Sequence, residues 1–443
     1  MNKIEQITAI LIKSGNALLS FAMFAALANV MSSEQYGTMT MSFSAALFIA
    51  SWLTLGQHIL VLAKLPPLLQ TNRIAEAAEV VKRNYKYMQF GAMMFMTASL
   101  PPTATLAFYS AHYAVLLTLT ATLAVTYAYS EYSSYYLRAL GKPILATLPR
   151  DILWRLSILA FAVHHSTLAQ SAPGCISTII FILLSLATVV FLQQILGGNQ
   201  LLTHGQAQTP QVSFTDWKAT SFHLSLASVA TVITGQASIL VVGVATSPAA
   251  AGDLFSIQRT SLILTLPLLG TNLLLSPQIS KWHITDPEKL KNSIKQTHKL
   301  LMIPTLASYC AVMYFADQLN QVFNINDPDL TLSLRILASA SLYSCLCGPT
   351  GQILLLSGRE ATFIRLLASN EIICLIATAC LSVLFNTLGA AIALAAGTLT
   401  LNTIIAYVAT KQMGINPTAL LLLKSPPKAT TTQQPIQHEI MLP

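Results

Sequence analysis

Charge is what this chain has least of. Only 9% of its 443 residues are Asp, Glu, Lys or Arg, where a soluble domain carries roughly 25%. So little charge cannot cover a water-facing surface of this size, and a soluble globular protein is excluded. Catalytic signatures are missing too. There is no Gly-x-x-x-x-Gly-Lys-Ser/Thr loop, which excludes an ATPase of the chain's own. No His-Glu-x-x-His or Gly-x-Ser-x-Gly occurs, and no long polar segment could house a catalytic domain, so no enzyme is expected. The six cysteines all fall in apolar stretches without zinc-ligand spacing, and His164-His165 has no metal-ligand company. Neither a metal, a cofactor nor a disulfide framework is expected.

What is present is apolar length. Hydrophobic residues make up 54% of the chain, and its mean hydropathy is +0.61. Uncharged runs such as Ile176–Leu196 and Leu388–Val408 meet the roughly 20 residues that a bilayer-spanning helix needs. The run reaching Val30 is too long for a signal-peptide core, so the first helix is expected as a retained span. Twelve spans are predicted at about 9–30, 38–63, 87–109, 113–135, 152–170, 175–196, 219–245, 254–279, 300–316, 331–356, 366–385 and 388–410.

Sorting the basic residues tests that scheme. With both termini cytoplasmic, 20 of the 24 Lys and Arg residues fall in cytoplasmic segments, and the external loops hold none. That asymmetry follows the positive-inside rule. The net charge of +8 is therefore mostly a topology signal, and no nucleic-acid partner is read from it. The lipid bilayer is the partner it implies.

The chain also repeats itself. Gly37 to Gly56 across span 2 resembles Gly252 to Gly270 across span 8, at 19 and 18 residues, and each is followed by a polar, helix-prone segment. Leu137-Arg-Ala-Leu-Gly-Lys142 after span 4 parallels Leu354-Leu-Leu-Ser-Gly-Arg359 after span 10, with the offset near 215 residues throughout. This divides the chain into a six-helix bundle (1–196), a polar cytoplasmic linker (197–217), a second six-helix bundle (218–410) and a Pro-, Thr- and Gln-rich tail (411–443). The tail is expected to be disordered, with no packing duty. Facing repeats place a substrate site at their interface, near the midplane.

Four basic residues remain inside spans: Lys13, Arg155, Arg259 and Arg335. A charge at a helix centre costs roughly 2.5–3.5 kcal/mol on insertion, so such residues face a cavity or a partner, or snorkel to headgroups. Guanidinium grips phosphate in a bidentate fork, and cations near both faces would suit an anionic headgroup moving between leaflets. Among the acids, Asp151 is placed to cap span 5, and Glu371 lies one to two turns into span 11. Glu371 is a candidate for ion coupling or for a structural ion pair. Tyr129, Tyr132 and Tyr136 share a helical face at the end of span 4. They read as an interfacial aromatic belt or, more sharply, as a stacking surface for sugars. Pro267, Pro304 and Gly348-Pro349 interrupt spans 8, 9 and 10, as helices that bend in alternating access are interrupted.

Leu11-Ile-Lys-Ser-Gly-Asn16, Met31-Ser-Ser-Glu-Gln-Tyr-Gly37, Gly56 and Leu137-Arg-Ala-Leu-Gly-Lys142 resemble the polysaccharide (O-antigen type) flippases of the multidrug/oligosaccharidyl-lipid/polysaccharide exporter superfamily. The motifs are loose and strongest over the first 160 residues; the two-half layout covers about 1–410. The resemblance implies an all-α polytopic protein of the bacterial inner membrane, its two bundles forming a V-shaped central cavity. It also implies flipping of lipid-diphosphate-linked oligosaccharide units to the periplasmic leaflet, driven by an ion gradient, with polysaccharide polymerase and glycosyltransferases as further partners. Two alternatives stand beside it: a multidrug exporter of the same superfamily, and a non-transporting scaffold of envelope assembly.

Overall fold

A segment that crosses hydrocarbon alone must satisfy its own backbone groups, and only a helix does so. The computed structural model is built that way: among the described residues there are helices and turns and no strand. It describes residues 3–167, 173–197, 235–266, 268, 286–357, 359–413 and 416–419, with single positions 225, 229, 232, 275, 279 and 282 between them; side chains 3–14 are not included. Most of the expected linker (198–217) and most of the tail (420–443) lie outside the described residues.

The first half comprises α1 (Lys3–Val30), α2 (Ser33–Leu53), α3 (Gln57–Gln70), α4 (Ile74–Tyr109) and α5 (Ala111–Ala139). A short α6 (Pro143–Thr147) runs through a π-helical turn, Leu148–Leu153, into α7 (Trp154–Thr167), and α8 (Cys175–Gly197) closes the half. The second half comprises α9 (Gly235–Ala245), α10 (Pro248–Leu262), α11 (Pro287–Tyr314), α12 (Ala316–Gln321), α13 (Pro328–Cys347), α14 (Thr350–Leu356) and α15 (Glu360–Met413). Where described, each expected span falls on one helix or on a broken pair, the fifth, seventh and eighth being described only in part. By length and composition alone, α5, α8, α13 and α15 qualify as membrane-crossing.

The breaks have local causes. Span 2 bends by 47° between α2 and α3, where Leu55 (φ 46°) and Gly56 (φ 70°) are both left-handed. A leucine in that conformation costs about 1–2 kcal/mol, so packing on either side must hold it. Span 10 breaks at Gly348, whose φ of 74° and ψ of −156° suit glycine alone. A Cβ there would lie 2.6 Å from both His298 Nε2 and the Pro417 carbonyl. α15 doubles back at Phe385–Asn386, so tightly that a Cβ on Gly389 would lie 2.0 Å from the Leu381 carbonyl oxygen.

His298 precedes the ninth span, and burial holds its imidazole below the ordinary histidine range. Its Nε2 donates to the Pro417 carbonyl at 2.8 Å. The start of the tail thus has a packing duty after all, since this contact ties it to α11.

The packing clusters show how the halves meet. The largest combines Met23, Phe24 and Phe43 of the first half with Ala251, Phe255, Phe323 and Ile325 of the second. It lies at the end whose loops carry no Lys or Arg, where α1 finishes and α2 and α10 begin. There Tyr36 and Ser256 share a hydroxyl hydrogen bond at 3.1 Å, and Asn29 Nδ2 donates to the Val322 carbonyl at 2.6 Å. At the basic end the clusters do not mix. One holds Val61, Leu65, Val81, Met88, Tyr132 and Tyr136 of the first half; the other holds Leu290, Ile294, Ile353, Leu354 and Ile405 of the second. Among the described residues the halves are thus joined at one end and separate at the other, the V-shaped arrangement that the resemblance implies.

Candidate functional site

The space between the halves is a cavity of about 430 Å³. Its walls are mostly apolar and aromatic: Met23, Phe24, Phe43 and Trp154 from the first half, with Leu355 from the second. Few charged groups enter it, and each is placed by an identifiable piece of backbone.

Arg155 is the second residue of α7, just after the π-helical turn. Its Nη1 donates to the carbonyls of Arg150 (3.2 Å) and Asp151 (3.1 Å), and the Asp151 carboxylate lies 3.8 Å away. The guanidinium rests over the Trp154 ring, 5.5 Å from its centroid. Arg259 enters from α10 and lies over Phe255 at 4.6 Å and Phe24 at 5.5 Å. No carboxylate pairs with Arg259 among the described residues. Aromatic faces offer a guanidinium about 0.5–2 kcal/mol of cation–π attraction, less than the hydration a buried charge gives up. Arg259 therefore keeps an unmet demand for an anion.

The one carboxylate lining the cavity among the described residues is Glu131 of α5, and it is already engaged. Arg150 reaches it from the π-helical turn in a close ion pair and also donates to the Tyr127 hydroxyl at 3.0 Å. Tyr127, Glu131 and Tyr135 are spaced by four residues and line the cavity together. His58, just past the α2–α3 bend, meets the Tyr135 ring edge-on at 4.9 Å. Charge sorting assigns Arg150 to a cytoplasmic loop; the π turn instead buries it. Breaking a buried pair leaves its partner uncompensated, which costs about 3–5 kcal/mol. Glu131→Gln should thus lower the melting temperature clearly in scanning fluorimetry. The double change with Arg150→Gln should restore part of the loss, as expected for coupled partners.

The other sequence candidates fall elsewhere. Lys13 lies in α1, but its side chain is outside the described residues. Arg335 faces a separate groove on the second half, 3.6 Å from Asp317. Glu371 is buried within α15 and is not among the residues lining the cavity. The tyrosine face needs correction. Tyr132 and Tyr136 are 0% and 4% exposed and stack at 6.3 Å. Tyr85 meets Tyr132 edge-on, and Tyr129 packs against the same cluster. Tyr132 and Tyr136 fill the core between α3, α4 and α5 and offer no ring face to a sugar or to headgroups, while Tyr129 packs half-buried at the edge of the cluster. The opposite tyrosine face of α5, Tyr127 and Tyr135, is the one that meets the cavity.

No family model matches the chain, and no curated protein matches it. Solved structures do. An inward-facing multidrug-resistance MATE-family transporter of the MOP superfamily superposes with a TM-score of 0.69 at 14% identity, over 93% of this chain and 96% of that one. A MOP-superfamily transporter from Pyrococcus furiosus, described by a reversed polarity of its binding pocket that suggests a different function, superposes at 0.64 with 14% identity, covering 94% and 95%. The MATE multidrug transporter DinF-BH in complex with rhodamine 6G superposes at 0.59 with 15% identity, covering 91% and 94%. The fold is therefore that of the MATE transporters of the MOP superfamily: an all-α multi-pass membrane protein with two helical bundles.

Proposed function

We propose that this protein is an alternating-access transporter that flips lipid-diphosphate-linked oligosaccharide units from the cytoplasmic to the periplasmic leaflet of the bacterial inner membrane. The observation that carries this reading is the charge balance of the cavity. Its sole described carboxylate is occupied by Arg150, while Arg155 and Arg259 present guanidinium groups with little or no carboxylate compensation. A diphosphate supplies the missing negative charge and matches the planar donor fork of arginine. The basic loops support placing the separated end of the V in the cytoplasm, where such a precursor would enter. Similarity to a MOP transporter described by reversed pocket polarity supports treating polarity as a variable within this fold.

A second reading, export of cationic drugs, is favoured by the aromatic walls and by the likeness to a multidrug transporter in complex with rhodamine 6G. Purified protein in liposomes separates the two. Under the first reading it accelerates transbilayer exchange of a fluorescent undecaprenyl-diphosphate sugar, followed by dithionite quenching, and does not move rhodamine 6G. Export of rhodamine 6G with no acceleration of the diphosphate lipid would replace the first reading by the second.

A further inference from the structure

Arg335 is one of the four basic residues inside expected spans, and the central cavity does not use it. It lies instead at a groove of about 610 Å³ between α11, α13 and α15, within the ~300–1,000 Å³ range of small-molecule sites. The groove is lined by Met313, Leu332, Ile336, Leu342, Leu346 and Leu399, with no described first-half residue among its walls. On α13 the groove face (Arg335, Ser339, Leu342, Leu346) lies away from Leu334, Leu337 and Ala338, which pack into the second half's core. The groove therefore runs along the side of α13 turned from that core, with its charged end at the external end of the expected span and apolar walls below it.

Its charged end is bipolar. Arg335 Nη2 and Asp317 Oδ2 are 3.6 Å apart, with side chains 40% and 59% exposed. The pair is too long for a hydrogen bond, and Arg335 Nε is buried without a partner. Both groups thus keep donor and acceptor capacity toward an incoming ligand. A single anion would satisfy the guanidinium but meet the Asp317 carboxylate. A quaternary ammonium would face Asp317 without a proton to donate. A phosphate carrying a primary ammonium answers both charges with hydrogen bonds.

We propose that this groove is a binding site for phosphatidylethanolamine, with an acyl chain along α13, the phosphate on Arg335 and the ammonium on Asp317. The site is independent of what the central cavity carries. Native mass spectrometry of the full chain in detergent, titrated separately with dioleoyl-phosphatidylethanolamine, -phosphatidylglycerol and -phosphatidylcholine, tests it. The ethanolamine lipid should be retained roughly 5-fold over the other two, the scale of one half-exposed ion pair. Arg335→Gln should abolish that preference. Ser339→Trp, at an exposed position that fills the groove without entering the core, should remove the bound lipid altogether. Equal retention of the three lipids, a preference for phosphatidylglycerol, or retention undiminished in Ser339→Trp would overturn the proposal.

Discussion

Gly37→Leu should leave the protein folded but bias it strongly toward the state open at the end without basic loops, slowing transport at least ~10-fold. Helix propensity alone argues the reverse, since leucine is better than glycine in a helix interior by roughly 0.8–1 kcal/mol. Sterics decide. A Cβ on Gly37 would lie 1.8 Å from the Pro248 carbonyl oxygen and 2.9 Å from the Ala249 nitrogen. Both are backbone atoms at the start of α10, so no rotamer change relieves them. On the facing helix a Cβ at Gly252 would lie 3.0 Å from the Gly37 Cα. In a membrane, helix association rests on close packing more than on hydrophobic burial, and small residues let backbones approach. The contact exists only while the halves are joined at this end, so the penalty falls on that state alone. Overpacking typically costs about 1–3 kcal/mol, which shifts a two-state balance by roughly 5- to 150-fold. Spin labels on exposed Glu34 and Asp327 would report the shift as a longer distance population. Gly235→Leu, whose Cβ would meet nothing within 4 Å, is the matched control. An unchanged distance distribution in Gly37→Leu would remove the crossing from the gating mechanism.

That crossing is half legible in the sequence. Gly37 and Gly252 stand out as equivalent positions of the two repeats, and the structure sets them against one another. Pseudo-symmetry explains why: where two repeats face each other across an axis, equivalent positions near that axis touch. Helix content and the two-bundle layout are legible for a similar reason, since hydropathy and charge sorting report depth along a chain. They do not report direction around a helix. α5 carries tyrosines on two faces, and composition alone favours the face with Tyr129, Tyr132 and Tyr136, which the bundle buries. Tyr127, Glu131 and Tyr135 repeat every four residues and could be grouped, but without a known neighbour they point nowhere. Arg150 is hidden differently. A π-helical turn inserts an extra residue into the helix and rotates the turns beyond it, so a residue assigned to a loop becomes a buried partner of Glu131. Arg335 shows the converse, a charge inside an expected span that lines a separate groove.

Arg259→Gln and Arg155→Gln should each reduce exchange of the diphosphate lipid by roughly 10- to 100-fold, the value of a charge-assisted hydrogen bond of about 1.5–3 kcal/mol. The double substitution should abolish it. Stability is what separates this from simple damage. Arg259 has only the rings of Phe24 and Phe255 beneath it and is half-buried without a described carboxylate. Replacing it with a neutral residue removes that desolvation cost, so the melting temperature should hold or rise. Glu131→Gln should move the other way, because it strands Arg150. Arg259→Lys retains the charge but loses the planar fork and the ring stacking, and should fall between wild type and Arg259→Gln. Under a drug-exporter reading the signs change: removing a cation from the cavity wall would raise the export of rhodamine 6G rather than abolish activity. A cavity built to hold phosphate therefore loses transport and keeps its fold when Arg259 is neutralised. If exchange of the diphosphate lipid persists in the stable double variant, the cationic path is not how this protein recognises its substrate.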